Sequence, residues 1–171
     1  HVPRRLKRTI RNCQFTVTCN TVFEEVVALC AESTRLRPDT WINPTIENAA
    51  KDLHRLGHAH SIECWLKGNL IGGLYGISLG SAFFGESMFS RTNNASKIAL
   101  VYLTARLKLG KFRLFDTQFM TDHLKTMGAK EVSRNFFLYL LQKSTSKKAQ
   151  FTNPGTQVID KSLINKAEEN R

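Results

Sequence analysis

The stretch from His60 to Ser90 reads HSIECWLKGNLIGGLYGISLGSAFFGESMFS, and it leaves the chain few choices. It holds three runs of β-forming residues, HSIECWL, NLIGGLYGISLG and SAFFGES. The first two are joined by the turn KGN and the last two are divided near Gly80. Connections this short reach only an antiparallel neighbour, because a parallel one needs a crossover of about a dozen residues. Any fold the chain adopts therefore contains an antiparallel meander here. Gly72, Gly73 and Gly76 would weaken a plain strand, so a β-bulge or the close approach of another group is expected beside them.

Upstream, VPRRLKRTIRN is helix-compatible, with Arg4, Lys7, Arg8 and Arg11 on one face and Leu6 and Ile10 on another. QFTVTCN alternates Phe15, Val17 and Cys19 against polar neighbours, as a strand does. TVFEEVVALCAES has a candidate cap at Asn20 or Thr21 and apolar Val22, Val26, Leu29 and Cys30 at helical spacing. RLRPDTWINPT is a loop carrying Trp41, and a second helix is expected from Thr45 to Leu56, stopped by Gly57. Downstream, Asn94 or Ser96 caps a helix through KIALVYLTARLKLG that Gly110 ends. FRLFD reads as a strand, FMTDHLKTMG as a short helix, AKEVS as another strand, and RNFFLYLLQK as helix or strand. After the basic helix the order is strand, two helices, three antiparallel strands, helix, strand, helix, strand. This is an α+β pattern, a mixed and mostly antiparallel central sheet flanked by helices, and it is similar to the GNAT-type acyltransferase fold.

At 171 residues and 42% hydrophobic content, the chain is long enough for one domain, expected over 1–143. From Ser144 the composition turns polar, and 144–171 reads as a mobile C-terminal tail. The first residue is His1 rather than Met, so further N-terminal material is expected to lie outside it. Lys and Arg number 25 against 14 acids, a formal charge of +11 with a pI near 9.8. That excess points to an anionic partner, nucleic acid above all, or an anionic membrane surface, with a solvated basic surface as the alternative. Arg4, Arg5, Lys7, Arg8 and Arg11 concentrate it without one acid among them, as a phosphate-contacting stripe would. Cys13, Cys19, Cys30 and Cys64 show no C-x-x-C spacing, and no secretory signal or membrane-spanning stretch is visible. They read as buried thiols of a reducing cytoplasm, with no membrane partner.

The chemistry concentrates in GESMFSRTNNASK, Gly85 to Lys97, which mixes Glu86 with hydroxyls, paired amides and the cations Arg91 and Lys97. A connection between elements needs no such inventory, so a site is expected there. An acetyl-CoA enzyme would place glycines before the central helix so that backbone N–H groups cradle a pyrophosphate; SRTNNASK has none. In FRLFDTQFM, Asp116 and Gln118 stand two apart and share one face of an extended segment. There the carboxylate can accept an amide N–H and leave the amide oxygen aimed at a donor; equally, Asp116 can cap the next helix. His54, His58 and His60 invite a metal, but Gly57 interrupts the i, i+4 pair and no Cys or acid ligand stands at suitable spacing, so no metal is expected. His123 reads as readily as a packed helix residue. No G-x-S-x-G elbow, P-loop or dinucleotide fingerprint occurs.

With LGHAHSIECW, GGLYG, GESMFSRTNNASK and DTQ followed by DHL in this order, the chain closely resembles the bacterial leucyl/phenylalanyl-tRNA-protein transferase family, from about His1 to Phe136. The resemblance implies transfer of Leu or Phe from Leu-tRNA or Phe-tRNA to the N-terminal Arg or Lys of an acceptor protein. The product is marked for N-degron proteolysis in the cytoplasm, and the enzyme is expected to be a monomer with no cofactor. Asp116 and Gln118 are then the catalytic pair, and Glu86 stands beside the cationic acceptor. Leu74, Phe84, Met88 and Phe115 resemble the pocket for the transferred side chain, although each suits a core equally. Trp41 stacks on the terminal adenosine, Asn94 and Ser96 open the helix where the acyl carrier docks, and the Arg4–Arg11 stripe grips the acceptor stem. The family's small N-terminal domain and its C-terminal segment with Trp and Pro are expected to lie outside these residues. Two other readings stay open, a non-catalytic RNA-binding remnant of the same fold and a CoA-dependent N-acetyltransferase.

Overall fold

The computed structural model describes residues 2–12, 15–33 and 39–151. In chain order the elements are α1 (Arg4–Asn12), β1 (Phe15–Cys19), α2 (Phe23–Ala31), α3 (Pro44–Arg55), β2 (Ala59–Leu66), β3 (Asn69–Leu79), β4 (Ala82–Ser90), α4 (Ala95–Leu109), β5 (Leu114–Asp116), α5 (Asp122–Thr126) and α6 (Arg134–Thr145). The strands form one sheet in sequence order, antiparallel from β1 to β4, with β5 parallel to β4. The helix between β4 and β5 supplies the crossover that the parallel pair requires.

Each face of the sheet has its own apolar layer. On one, α1 and α4 pack Leu6, Ile10, Ile98 and Leu103 over Val17, Ile62, Leu74 and Phe83. On the other, α2 and α3 bring Phe23, Val26, Val27 and Ala50 against Tyr75 and Phe89. The start of α4 lands directly on β3, where a Cβ at Gly72 would stand 2.6 Å from the Ala95 Cβ. Helix starts follow local chemistry: the side chains of Asn43, Thr121 and Ser133 accept the N–H groups of Ile46, Leu124 and Phe136.

Several expectations change. Neither Asn20 nor Thr21 caps α2; Val22 holds that position without a side-chain bond, and Phe23 and Val27 are buried where Val22 and Leu29 were expected. Asn20 instead turns its side-chain oxygen to the Ser61 N–H at 2.9 Å, tying the end of β1 to β2. The strand expected over SAFFGES continues to Ser90, so half of GESMFSRTNNASK is ladder and only 91–94 connects to α4. AKEVS is not a strand: Lys130, Glu131, Val132 and Ser133 are exposed, so the segment has no apolar face to bury, and Ser133 caps α6. RNFFLYLLQK is helical.

The boundary expected after residue 143 is also corrected. The Ser144 carbonyl accepts both the Ser81 N–H (2.8 Å) and its hydroxyl (2.9 Å), and Gln150 N–H donates to the Gly110 carbonyl. Phe151 is 3% exposed, its ring stacked 4.0 Å from His60 and 5.5 Å from Phe83, and its carbonyl accepts from Arg106. Burial, helped by the charges of His54 and Arg106, pushes the His60 pKa down to about 4, which keeps that ring neutral against its aromatic partner. The packed body thus runs through Phe151, while 152–171 lie outside the described residues. Cys19, Cys30 and Cys64 are buried thiols, and burial pushes Cys19 up to about 12; Cys13 lies outside the described residues. Phe151→Ala should remove about 3–5 kcal/mol of stability, as large aromatic deletions from a core do. A urea midpoint unchanged by that substitution would return Ser144–Phe151 to the status of a free tail.

Candidate functional site

β4 carries one residue more than β3 can match. Leu74 pairs with Met88 and Tyr75 with Ser87, but the next pair is Gly76 with Gly85, so Glu86 stands unmatched in a β-bulge. A Cβ at position 76 would meet the Phe84 carbonyl at 2.2 Å, so this turn of the ladder admits only glycine. Bulges re-aim side chains. Here Glu86, half-buried, accepts a hydrogen bond from Gln118 Nε2 to its Oε2 at 3.2 Å. Gln118 lies past the end of β5 at φ 62°, with its backbone N–H on Asp116 Oδ1 at 2.8 Å. That Asx-type turn folds the amide back towards β4.

The three residues are therefore together, with their bonds arranged otherwise than expected. Asp116 and Gln118 do not share a strand face, because β5 ends at Asp116. The amide proton of Gln118 goes to Glu86, and Asp116 holds the backbone that positions it. Asp116 does not cap α5 either, since Thr121 does. Burial raises the Glu86 carboxyl above its ordinary range; the Asp116 charge pushes the same way and the Gln118 bond opposes both. Two carboxylates held by one residue, Asp116 on the backbone N–H of Gln118 and Glu86 on its side-chain amide, make an anionic notch where β4 and β5 part, suited to a cationic amine.

Tyr75, paired with Ser87 next to the bulge, was not singled out by the sequence reading, which used GGLYG for its glycines and as part of a motif. It is 1% exposed, meets Phe23 edge-on at 6.1 Å, and faces the α2–α3 layer. Burial raises its hydroxyl pKa, and the charges of Cys30, Glu86 and Glu47 add to the shift. Strict alternation from Leu74 was the signal that could have found it. Trp41 stands 53% exposed in the loop before α3, beside the buried Ile42. At the start of α4, Asn94 is left-handed at φ 71° with no side-chain cap bond. Ser90 Oγ accepts the Ser96 N–H at 3.3 Å instead, a capping role that sequence spacing did not reveal.

On the α4 face a cleft of about 720 Å³ opens between α1, α4, β5 and α5. Leu100, Phe115, Leu124 and Met127 give it an apolar lining, Arg4, Lys7, Lys108 and Lys130 ring it, and Asp116 and Thr117 reach its edge. Of the four apolar residues expected in a side-chain pocket, Phe115 lines this cleft. Leu74 is 3% exposed in the core, Met88 packs against that core opposite it, and Phe84 faces away by the alternation that buries Phe83. In α1, Arg4, Arg5, Arg8 and Arg11 are exposed and Lys7 is half-buried.

The histidines stand in separate environments. His54 bonds to the Ala59 carbonyl at 2.7 Å and stacks on Phe23, His58 is exposed, and His60 faces Phe151. Among the described residues no three His, Cys, Asp or Glu side chains gather as metal ligands, and no helix is long and apolar enough to cross a membrane. His123 is half-buried in α5, with its pKa lowered by burial and by Lys97. In Asp116→Asn the loss of a neighbouring negative charge should lower the Glu86 pKa, and in Gln118→Ala the loss of its donor should raise it. Carbon-13 titration of the Glu86 carboxyl reads both; a value indifferent to both changes would show that the three side chains are not one unit.

Comparison with known proteins places this geometry in context. The family model for leucyl/phenylalanyl-tRNA protein transferase matches residues 1–142. The leucyl/phenylalanyl-tRNA–protein transferase of Rhizorhabdus wittichii is 64% identical over 138 residues, covering 81% of this chain and 56% of that protein. The protein of the same name from Zymomonas mobilis subsp. mobilis is 58% identical over 146 residues, covering 85% of this chain and 54% of that protein. The chain thus spans about half the length of these relatives. Among solved structures, a probable acetyltransferase superposes with a TM-score of 0.55 at 7% identity, over 71% of this chain and 92% of its own. At that identity the likeness is one of fold alone, and the fold is the GNAT-type one that the element order predicts.

Proposed function

Because the chain belongs to the leucyl/phenylalanyl-tRNA protein transferase family, we propose that it carries Leu or Phe from its charged tRNA to the N-terminal Arg or Lys of an acceptor protein in the cytoplasm, marking that protein for N-degron proteolysis. The observation that supports this most directly is the joining of Glu86, Gln118 and Asp116 at the fork of β4 and β5. The reaction is attack of an amine on an ester carbonyl, forming an amide and releasing the tRNA's ribose hydroxyl. It needs a neutral amine, and an α-amine with a reference pKa of about 7.7–8.0 gives up its proton at little cost. An amide oxygen is a poor base. Gln118, held by Glu86, serves better to orient the amine, while the proton leaves through water or the ribose hydroxyl.

Glu86 and Asp116 draw in the acceptor's cationic end, through its α-ammonium or its Arg or Lys side chain. The apolar lining of the cleft, with Phe115 and the unbranched Met127, suits a side chain that is either Leu or Phe; Leu74 and Met88 support it from within the core. Arg4 and Lys7 at the rim and Arg5, Arg8 and Arg11 on the exposed side of α1 suit the phosphates of an acceptor stem. Trp41 offers a ring to the terminal adenine, a contact typically worth about 1–3 kcal/mol. The dipole at the start of α4, by Asn94 and Ser96, favours the carrier's negative charge.

The test is transfer of labelled leucine from Leu-tRNA to a peptide beginning with Arg. Asp116→Ala should lower kcat/KM by about 10²–10³-fold, because it frees the turn that positions Gln118. Glu86→Gln should raise the acceptor KM, and transfer by the parent chain should fall steeply as salt rises. No transfer by the parent chain, with tRNA still bound, would replace this reading by that of an RNA-binding remnant.

A further inference from the structure

The pairing of β5 with β4 stops at Asp116 and Phe84, whereas β4 runs on to Ser90. From the bulge onward β4 has β3 on one side and, among the described residues, no strand on the other. The register says which backbone groups face the open side. Arg91 N–H bonds to the Ile71 carbonyl at 2.7 Å, and Gly73–Phe89 and Tyr75–Ser87 alternate in step with that closely bonded pair. Ser87 and Phe89 therefore direct their N–H and C=O groups to β3, and Met88 turns its own outward. Bare edges are ordinarily guarded by charges, Pro or a bulge. Here the bulge with its charged Glu86 guards one end, while residues 87–90 carry no charge and no Pro.

We propose that this bare stretch of β4 is the track on which the acceptor polypeptide docks, added as a short strand parallel to β4 and in line with β5. Its first residue lies at Glu86 and the following residues run towards Ser90. The inference rests on the function proposed above and says how that site takes its protein substrate. Three features carry it. A peptide backbone offers the alternating donors and acceptors that complete a strand edge, which a nucleotide end does not. The anionic notch of Glu86 and Asp116 stands at one end of the track, where a positively charged chain terminus belongs. The line of β5, ending in Asp116 and the Gln118 turn, already occupies the other direction, so a chain starting at the notch can extend only towards Ser90.

Charge is thus read at the first acceptor residue, and beyond it the contact is backbone on backbone past the uncharged Ser87, Met88 and Phe89. A substrate class defined by its first residue and indifferent to the rest follows from that division. At about 3.3 Å per residue, Glu86 to Ser90 matches roughly four acceptor residues.

The test uses a peptide amide of Arg followed by five alanines, and a series carrying one N-methylated backbone amide each, with Leu-tRNA as donor and direct binding measured in parallel. A strand bonds its neighbour through every second residue, so methylation should raise KM about five- to tenfold at alternate positions within the first four residues and leave later ones unaffected. Efficient transfer to the parent peptide with a flat profile would overturn the track and leave the proposed reaction standing. A penalty at every successive position would indicate a tight channel and overturn it likewise. If the parent peptide is neither bound nor modified, both the track and the proposed reaction fail.

Discussion

In a matched antiparallel ladder, side chains an odd number of residues apart point to opposite faces, so one unmatched residue reverses the assignment of everything beyond it. In β4 that residue is Glu86. Phe83 and Met88 are five apart and both pack on the α4 side, while Phe89 joins the α2–α3 layer with Tyr75. The insertion keeps both layers supplied with apolar side chains and leaves one carboxylate between them, at the place where the sheet opens. Bending at the bulge also accounts for the early end of β5, because a strand that turns away from its neighbour cannot keep a parallel ladder beyond it. The short strand then releases the chain into the Asx-type turn that brings Gln118 back to Glu86.

The far parts of the molecule hold this fork in place. Glu63 is fully buried, a costly position for a carboxylate, and it accepts bonds from the hydroxyls of Thr18 and Ser61 and from Thr21 N–H. Trp65 Nε1 donates to Thr18 in turn, at 2.8 Å. This network joins β1 to β2 immediately before α2, and so supports the layer in which Tyr75 and Phe23 are packed. At the opposite end of the sheet, Phe151 fills the space between His60, Phe83 and Phe112. The sheet is closed by aromatic packing at that end and left open at the other, where the proposed chemistry needs access.

What could be read from the sequence was what local spacing controls. The meander followed from turn lengths, and the irregularity beside Gly76 followed from the poor strand character of its glycines. The reading missed what distant partners decide. Phe151 sits in the polar run SKKAQFTNPG, and nothing local announces that four aromatic or cationic side chains wait for it. Glu63 reads as the polar residue of an alternating strand, because its hydroxyl partner on β1 is 45 residues away. Asp116, Gln118 and Glu86 were named from motif and chemistry, but their hydrogen bonds were not legible. Which carboxylate meets the amide depends on a positive φ at Gln118 that no pattern in DTQ displays.

The start of α4 bears on the choice between acyl carriers. A diphosphate needs several converging backbone N–H groups, which glycine-rich turns leave bare. Here Ser90 Oγ takes the Ser96 N–H, the Thr92 carbonyl takes that of Ala95, and the Asn94 carbonyl takes that of Ile98. The helix dipole still favours an anion at this end, but the N–H groups of Ala95 and Ser96 are engaged within the turn itself, which leaves fewer to converge on a compact one. Side-chain cations add to the attraction for a negatively charged carrier, and these are spread over α1 and around the cleft at Arg4, Lys7, Lys108 and Lys130. Dispersed cations match a polyanion whose phosphates are themselves dispersed, so the physics of this helix start favours a nucleic-acid carrier over a coenzyme with one pyrophosphate.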